Sequence, residues 1–275
     1  MQNKIALIFD FDDTLVPDST NALLRHIEVD IKEFWTQKVQ QLMNSNWDPV
    51  PAYMYMLLKE SQNGKHISKQ TLQEVGRNLL FNEGVIDFFD NIKSDFSALS
   101  KEIELEFYIV SGGIGEIIRN SAISQHFTHI WSCELAYNKE DLIEFPSNIV
   151  SFTDKTRYLF QISKGIVGKK AFSNPYEVNN KIEADKIVIP FENMIYIGDG
   201  YTDIPCFSMI KKNEGFTFAV YNQDDKDKYS RALHFMEQNR VTNLHSANFT
   251  KSSDLYNSIL LAIQSIIEKI KENLK

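Results

Sequence analysis

The chain has 275 residues, 43% of them hydrophobic and 24% charged, with a formal net charge of -8. That length allows one or two domains around a large core, and the acidic balance argues against a nucleic-acid binder, which depends on a basic face. No stretch reaches membrane-spanning length and no charged segment followed by a long apolar run opens the chain, so a soluble, cytoplasmic protein without a membrane partner is expected.

The first predicted element is an apolar, β-branched run over residues 5–9, which reads as a buried parallel strand. It ends abruptly in Asp10, and Asp12, Asp13 and Thr14 follow at once. Carboxylates at the carboxyl end of such a strand lie where open α/β sheets place their active sites. Asp10 and Asp12 project toward one point if the backbone stays extended, a pair suited to a hard cation and to nucleophilic and acid–base work. The plain alternative is a strand that ends in a polar turn, with aspartates capping the next element.

From residue 17 to about residue 82 no strand is predicted. Helical periodicity fits 19–28, 31–43, 52–60 and 69–80, with Ser68 as N-cap of the last, and Pro49, Pro51 and Gly64 as punctuation. This is too much sequence for one crossover and reads as a helical insertion over the end of the first strand. Trp35, Trp47, Tyr53 and Tyr55 are its candidates for facing a pocket, against the ordinary reading that they build the insertion's own core. Glu83-Gly84 returns the chain to a core helix over 85–96, and the glycine is expected to serve as a hinge.

Residues 106–110 form the next strand, stopping at Ser111-Gly112-Gly113 before a helix over 114–123. A hydroxyl and open N–H groups before a helix make an anion site, although serine is also a common N-cap. A strand over 129–135 leads through a turn at 137–141 to 142–145. Lys155 then falls in the first turn of a helix ending near Ser163, with Gly165 beyond it. A lysine there opposes the helix dipole, which is explained if it faces bound negative charge; the alternative is a solvent-exposed lysine. Residues 194–197 form a strand stopping at Gly198-Asp199-Gly200, with Asp203 just before Ile204-Pro205, and 216–220 form another. Residues 168–189 fit no pattern, 252–271 read as an amphipathic packing helix, and the two cysteines, Cys133 and Cys206, read as buried thiols. Strands alternating with helices predict an α/β fold, a Rossmann-like parallel sheet core carrying the small α-helical insertion.

Four segments, Asp10-x-Asp12-x-Thr14, the strand-end Ser111, the helix-start Lys155 and Gly198-Asp199-x-x-x-Asp203, resemble the motifs of the haloacid dehalogenase superfamily, in the phosphatase branch with a helical cap between the first and second motifs. The resemblance implies a core of residues 1–16 and 83–275 and a cap of residues 17–82. It implies Mg²⁺-dependent hydrolysis of a small phosphomonoester, with Asp10 as nucleophile forming an aspartyl-phosphate and Asp12 as general acid and base. Ser111, Gly112 and Lys155 would bind the phosphoryl group. The metal would be held by Asp10, Asp12 through its main-chain carbonyl, and Asp199. Asp203 would orient Lys155 or a metal-bound water, and Thr14 would fix the turn after Asp12. Dehalogenating members lack a carboxylate at the Asp12 position, so the chain resembles a phosphatase acting on a small phosphorylated metabolite. The alternatives are a phosphomutase or phosphotransferase using the same intermediate, or a binding protein on the same scaffold. Asp13 stands where many relatives have glycine. The sequence gives no oligomeric state.

Overall fold

The computed structural model describes residues 2–223 and 226–273. Seven strands form one sheet in the order β4-β3-β2-β1-β5-β6-β7. They are β1 (Lys4–Phe9), β2 (Glu104–Ile114), β3 (His129–Tyr137), β4 (Ile143–Asn148), β5 (Met194–Gly198), β6 (Phe216–Tyr221) and β7 (Asn243–Ser246). All pair in parallel except β4, which runs antiparallel to β3 at one edge. The strands expected over 106–110 and 142–145 are longer than their apolar runs, and β7 was not expected because its polar residues show no apolar alternation.

The period of two along a strand sorts the core onto two faces. Phe9 packs edge-on against Phe88 and Phe89 of the helix Val85–Leu99, at 5.9 and 5.7 Å between ring centroids. Phe88 in turn meets Tyr256 of the helix Asp254–Asn273 at 5.8 Å. One residue earlier in register, Ile8 lies beside Tyr196 of β5, whose ring meets Phe207 of the helix Ile204–Lys212 on the other face. Residues Ile5–Phe9 are fully buried, as a central strand covered on both faces requires.

β1 lies between β2 and β5, so the chain winds outward from β1 in both directions. The crevice at such a switch point, beyond the carboxyl ends of the strands, is where open α/β sheets bind ligands. Asp10 directly follows β1 and Asp199 directly follows β5, and the Asp10 N–H donates to Ile197 O at 2.9 Å, which ties the two strand ends together.

The segment between β1 and β2 is helical, as expected. Helices Ser19–His26, Pro49–Glu60 and Lys69–Arg77 begin at Asp18, Asp48 and Ser68, whose side chains accept bonds from first-turn N–H groups. Proline in the first turn lets the second of these start before the expected residue 52. Residues 31–43 are helical throughout, with a π-helical stretch at Phe34–Val39. The ends of the segment are bonded to each other: Asn82 donates from its backbone to Leu15 O at 3.0 Å and from its side chain to Thr14 O at 2.8 Å.

Gly84 is left-handed at φ 79°, and a Cβ there would lie 2.3 Å from Thr250 N. Conformation and close approach thus account for this glycine, and the Phe249 N–H donates to Glu83 O at 2.7 Å, so the junction is clamped to the core.

Candidate active site

Asp10 accepts from the Phe11 N–H through Oδ1 at 2.7 Å, leaving Oδ2 to face Lys155 Nζ at 2.9 Å. Lys155 reaches this point because the helix Asp154–Ser163 begins beneath the crevice, and its side chain is 1% exposed. The same ammonium donates to Asp203 Oδ1 at 2.7 Å. Tyr196 Oη also donates to Asp203 Oδ1 at 2.7 Å, and Gly200 N–H donates to Oδ2 at 3.0 Å. Asp203 therefore orients Lys155, and its own position is fixed by β5 and by the turn that follows. Gly198 allows this: a Cβ there would lie 2.6 Å from Asp203 Oδ2.

Asp12 sits on the β2 side of Asp10. Its Oδ1 accepts from the Ser19 N–H at 2.6 Å. A Cβ on Gly113 would lie 2.5 Å from Asp12 Oδ2 and 3.2 Å from Ser111 Oγ, so both groups press against one bare Cα. Ser111 is fully buried, and its Oγ accepts from the Gly113 N–H at 2.9 Å. β2 runs on through Ser111 to Ile114 and the helix spans only Gly115–Arg119, so Ser111 lies inside the strand end and caps nothing.

Gly112 offers its carbonyl to two donors, Tyr53 Oη at 2.6 Å and Cys133 Sγ at 3.2 Å. Tyr53 belongs to the helix Pro49–Glu60, so the inserted segment touches the strand end beside Ser111 directly. Trp35 and Tyr53 also line a groove of about 460 Å³ with Val39, Met43 and Val50. Trp47 and Tyr55 pair with each other at 5.0 Å between centroids and are more than a third exposed, outside that groove.

The expectation for Thr14 changes. Thr14 is buried, but its hydroxyl has no hydrogen-bond partner among the described residues; the turn is held instead by backbone bonds from Leu15 and Val16 to Phe11 O. Asp13 is left-handed at φ 57°, which explains why glycine suits the position, and its Oδ1 faces Lys228 Nζ at 2.5 Å. The cysteines are fully buried, as expected; burial pushes the Cys133 thiol up to about 12.

Residues missed from the sequence are Lys228 and Arg231, on the helix Lys226–Glu237 after β6. Arg231 donates to Asp199 Oδ2 at 2.7 Å. That helix is polar and follows no recognisable motif, so only the fold brings it to the crevice.

Burial dominates the electrostatics. It pushes the Asp10 carboxyl up to about 7, against the pull of the Lys155 ammonium. It pushes Asp12 to about 7 as well, with the Asp18 carboxylate adding to the rise. Asp199 is raised by burial and then by Asp203, Asp13 and Asp10, with Arg231 opposing. For Lys155 burial acts downward, but Asp10 and Asp203 outweigh it and hold the ammonium charged. Carboxylates crowded in this way need cations beside them. Asp10, Asp199 and Asp203, all buried, each offer an oxygen within 4.8 Å of the others, a hard-oxygen set that fits a divalent ion. Asp203 already accepts from three donors, whereas Asp199 Oδ1 accepts no hydrogen bond from the described residues, which makes Asp199 the better-placed ligand.

This crevice, with its aspartates at the ends of β1 and β5 and its buried lysine, defines a phosphatase-type member of the haloacid dehalogenase superfamily. The chain belongs to the family described as "Putative Phosphatase", which matches residues 5–255. An uncharacterized protein of Borreliella burgdorferi is 30% identical over 290 residues, covering 94% of this chain and 96% of that one. Among solved structures, the fold is similar to a HAD family hydrolase of Salmonella enterica serovar Typhi, with TM-score 0.59, 16% identity, and coverage of 94% of this chain and 71% of the other. It is also similar to a phosphoserine phosphatase bearing a phospho-aspartyl intermediate analogue, with TM-score 0.53, 15% identity, and coverage of 94% and 98%. No helix among the described residues is long and apolar enough to cross a membrane.

Proposed function

We propose that the protein hydrolyses a small phosphomonoester through an aspartyl-phosphate on Asp10. The observation that carries this reading is the buried Asp10–Lys155–Asp203 relay, in which a carboxylate oxygen faces an ammonium fixed from behind. Asp10 Oδ1 is held by the Phe11 N–H, which sets the carboxylate's orientation for attack on phosphorus. Lys155 and Ser111, with the Gly112 backbone, would bind the phosphoryl oxygens and disperse the charge that builds in the transition state. Burial pushes the Asp12 carboxyl up to about 7, toward the range in which one group can both give and take a proton. Asp12 would give a proton to the leaving oxygen and then take one from the attacking water.

Asp10, Asp199 and the Asp12 main-chain carbonyl would hold Mg²⁺, which when bound offsets the charge of phosphate and carboxylates. Asp203 holds Lys155 in place. The division into a core of residues 1–16 and 83–275 and a cap of residues 17–82 belongs to this reading. The groove beside Tyr53 would receive the leaving group, and the cap would exclude water during attack.

The test is a phosphomonoester panel with Mg²⁺, read as released phosphate, repeated with alcohol and sugar acceptors. Hydrolysis without transfer supports the reading; transfer outpacing release would make the protein a phosphotransferase, and no turnover on any ester would refute it. Asp199→Ala is expected to raise the Mg²⁺ requirement strongly, and full activity after exhaustive chelation would refute the metal.

A further inference from the structure

Asp199 is already paired with a side chain from outside the four motif segments. Arg231 Nη2 lies 2.7 Å from Asp199 Oδ2, and the two side chains are 24% and 10% exposed. The guanidinium also lies over the Tyr201 ring, 5.6 Å from its centroid. Tyr201 packs edge-on against Phe235 at 5.7 Å, one turn further along the helix that carries Arg231. The arginine is therefore fixed by stacking and by an ion pair together. Three residues earlier on the same helix, Lys228 faces Asp13. The helix thus brings two cations to the outer rim of the aspartate cluster, while Lys155 serves Asp10 and Asp203 from within.

We propose that Arg231 is a competing cation built into the metal site, which neutralises Asp199 when no divalent ion is bound and sets how tightly one binds. This rests on reading Asp199 as a metal ligand. Two effects of Arg231 oppose each other. Its hydrogen bond orients the Asp199 carboxylate, which favours the ion. Its charge repels a doubly charged ion that shares the same carboxylate. In a buried crevice charges a few ångströms apart are poorly screened, so repulsion between a single and a double charge outweighs the orientation gained from one hydrogen bond. Arg231 is therefore a positioning residue with a net cost to metal binding, and loss of its charge tightens the site.

The experiment is calorimetric titration of Mg²⁺ into metal-stripped full-length protein without substrate. Arg231→Gln keeps a donor amide and removes the charge, and is expected to tighten binding about tenfold or more. Arg231→Met should shift affinity in the same direction without any donor. Arg231→Lys retains the charge and should stay within about threefold of the original affinity. In chelator the Gln variant should melt at a lower temperature, and its gain on adding Mg²⁺ should be larger. Unchanged or weaker Mg²⁺ binding in both the Gln and Met variants overturns the proposal and leaves Arg231 as an orienting group alone. Saturable binding that survives Asp199→Asn removes Asp199 as a ligand and the proposal with it. Absence of any Mg²⁺ binding to the unmodified protein refutes the metal reading itself, which separates that failure from this one.

Discussion

Lys155 Nζ stands 2.9 Å from Asp10 Oδ2, with neither side chain more than 8% exposed. An ammonium buried this deeply survives only because carboxylates on two sides neutralise it. Replacing Lys155 with Met should cost about 3–5 kcal/mol of stability, since it leaves buried acids unpaired. Adding Asp203→Asn should restore part of that loss. Chemical denaturation of the two single variants and the double variant checks the coupling; strictly additive losses would show that the pair is not a unit.

Asp10→Asn should abolish turnover and leave the fold intact. The amide is no nucleophile, and Lys155 keeps its ion pair with Asp203, so the protein should stay folded with a lower stability. A folded Asp10→Asn protein with near-original turnover would remove Asp10 from its role. In the unmodified protein, beryllium fluoride should be trapped on Asp10 and on no serine.

Asp18 caps the helix Ser19–His26 while burial raises its carboxyl from 3.8 to about 6. A raised acid binds its proton more tightly in the folded state, so its ionisation weakens folding as pH climbs from about 4 to 6, and the full cost is present above 6. Asp18→Asn keeps a capping oxygen and removes the charge. It should stabilise the metal-free protein by about 1–3 kcal/mol at pH 8, with the gain vanishing below pH 4. Melting curves of both proteins across that range check the sign, and a gain that grows toward low pH would contradict it.

Tyr53 reaches from the inserted helices to the Gly112 carbonyl. Tyr53→Phe removes that bond while keeping the ring in the groove, so kcat/KM should fall about tenfold by a common factor on every ester. Trp35 lines the same groove and anchors its Nε1 on Asn21 Oδ1 at 2.7 Å. Trp35→Leu should instead reorder the substrates, with p-nitrophenyl phosphate least affected. Steady-state kinetics over the panel distinguish the two patterns, and a common factor for Trp35→Leu would remove the groove from substrate selection.

The sequence by itself determined the strand-end aspartates, the order of the four motif segments, the parallel α/β plan and the helical nature of the insertion. These were legible because buried strands and capped helices write their periods and end residues locally, as Asp10 after five apolar residues and Ser68 before its helix show. Only the tertiary structure decided which groups meet. The resemblance left Asp203 to orient either Lys155 or a metal-bound water, and the bond between side chains 48 residues apart is what selects Lys155. Tyr53 lies 59 residues from Gly112, and Arg231 lies 32 from Asp199. A contact of that kind is fixed by the winding of the sheet and the packing of helices around it, and a side chain's neighbours across a crevice leave no periodic trace in its own segment. Thr14 makes the same point in reverse. Its place in the motif implied that it fixes the turn, yet the backbone of Phe11, Leu15 and Val16 satisfies the turn, and the hydroxyl has no partner among the described residues.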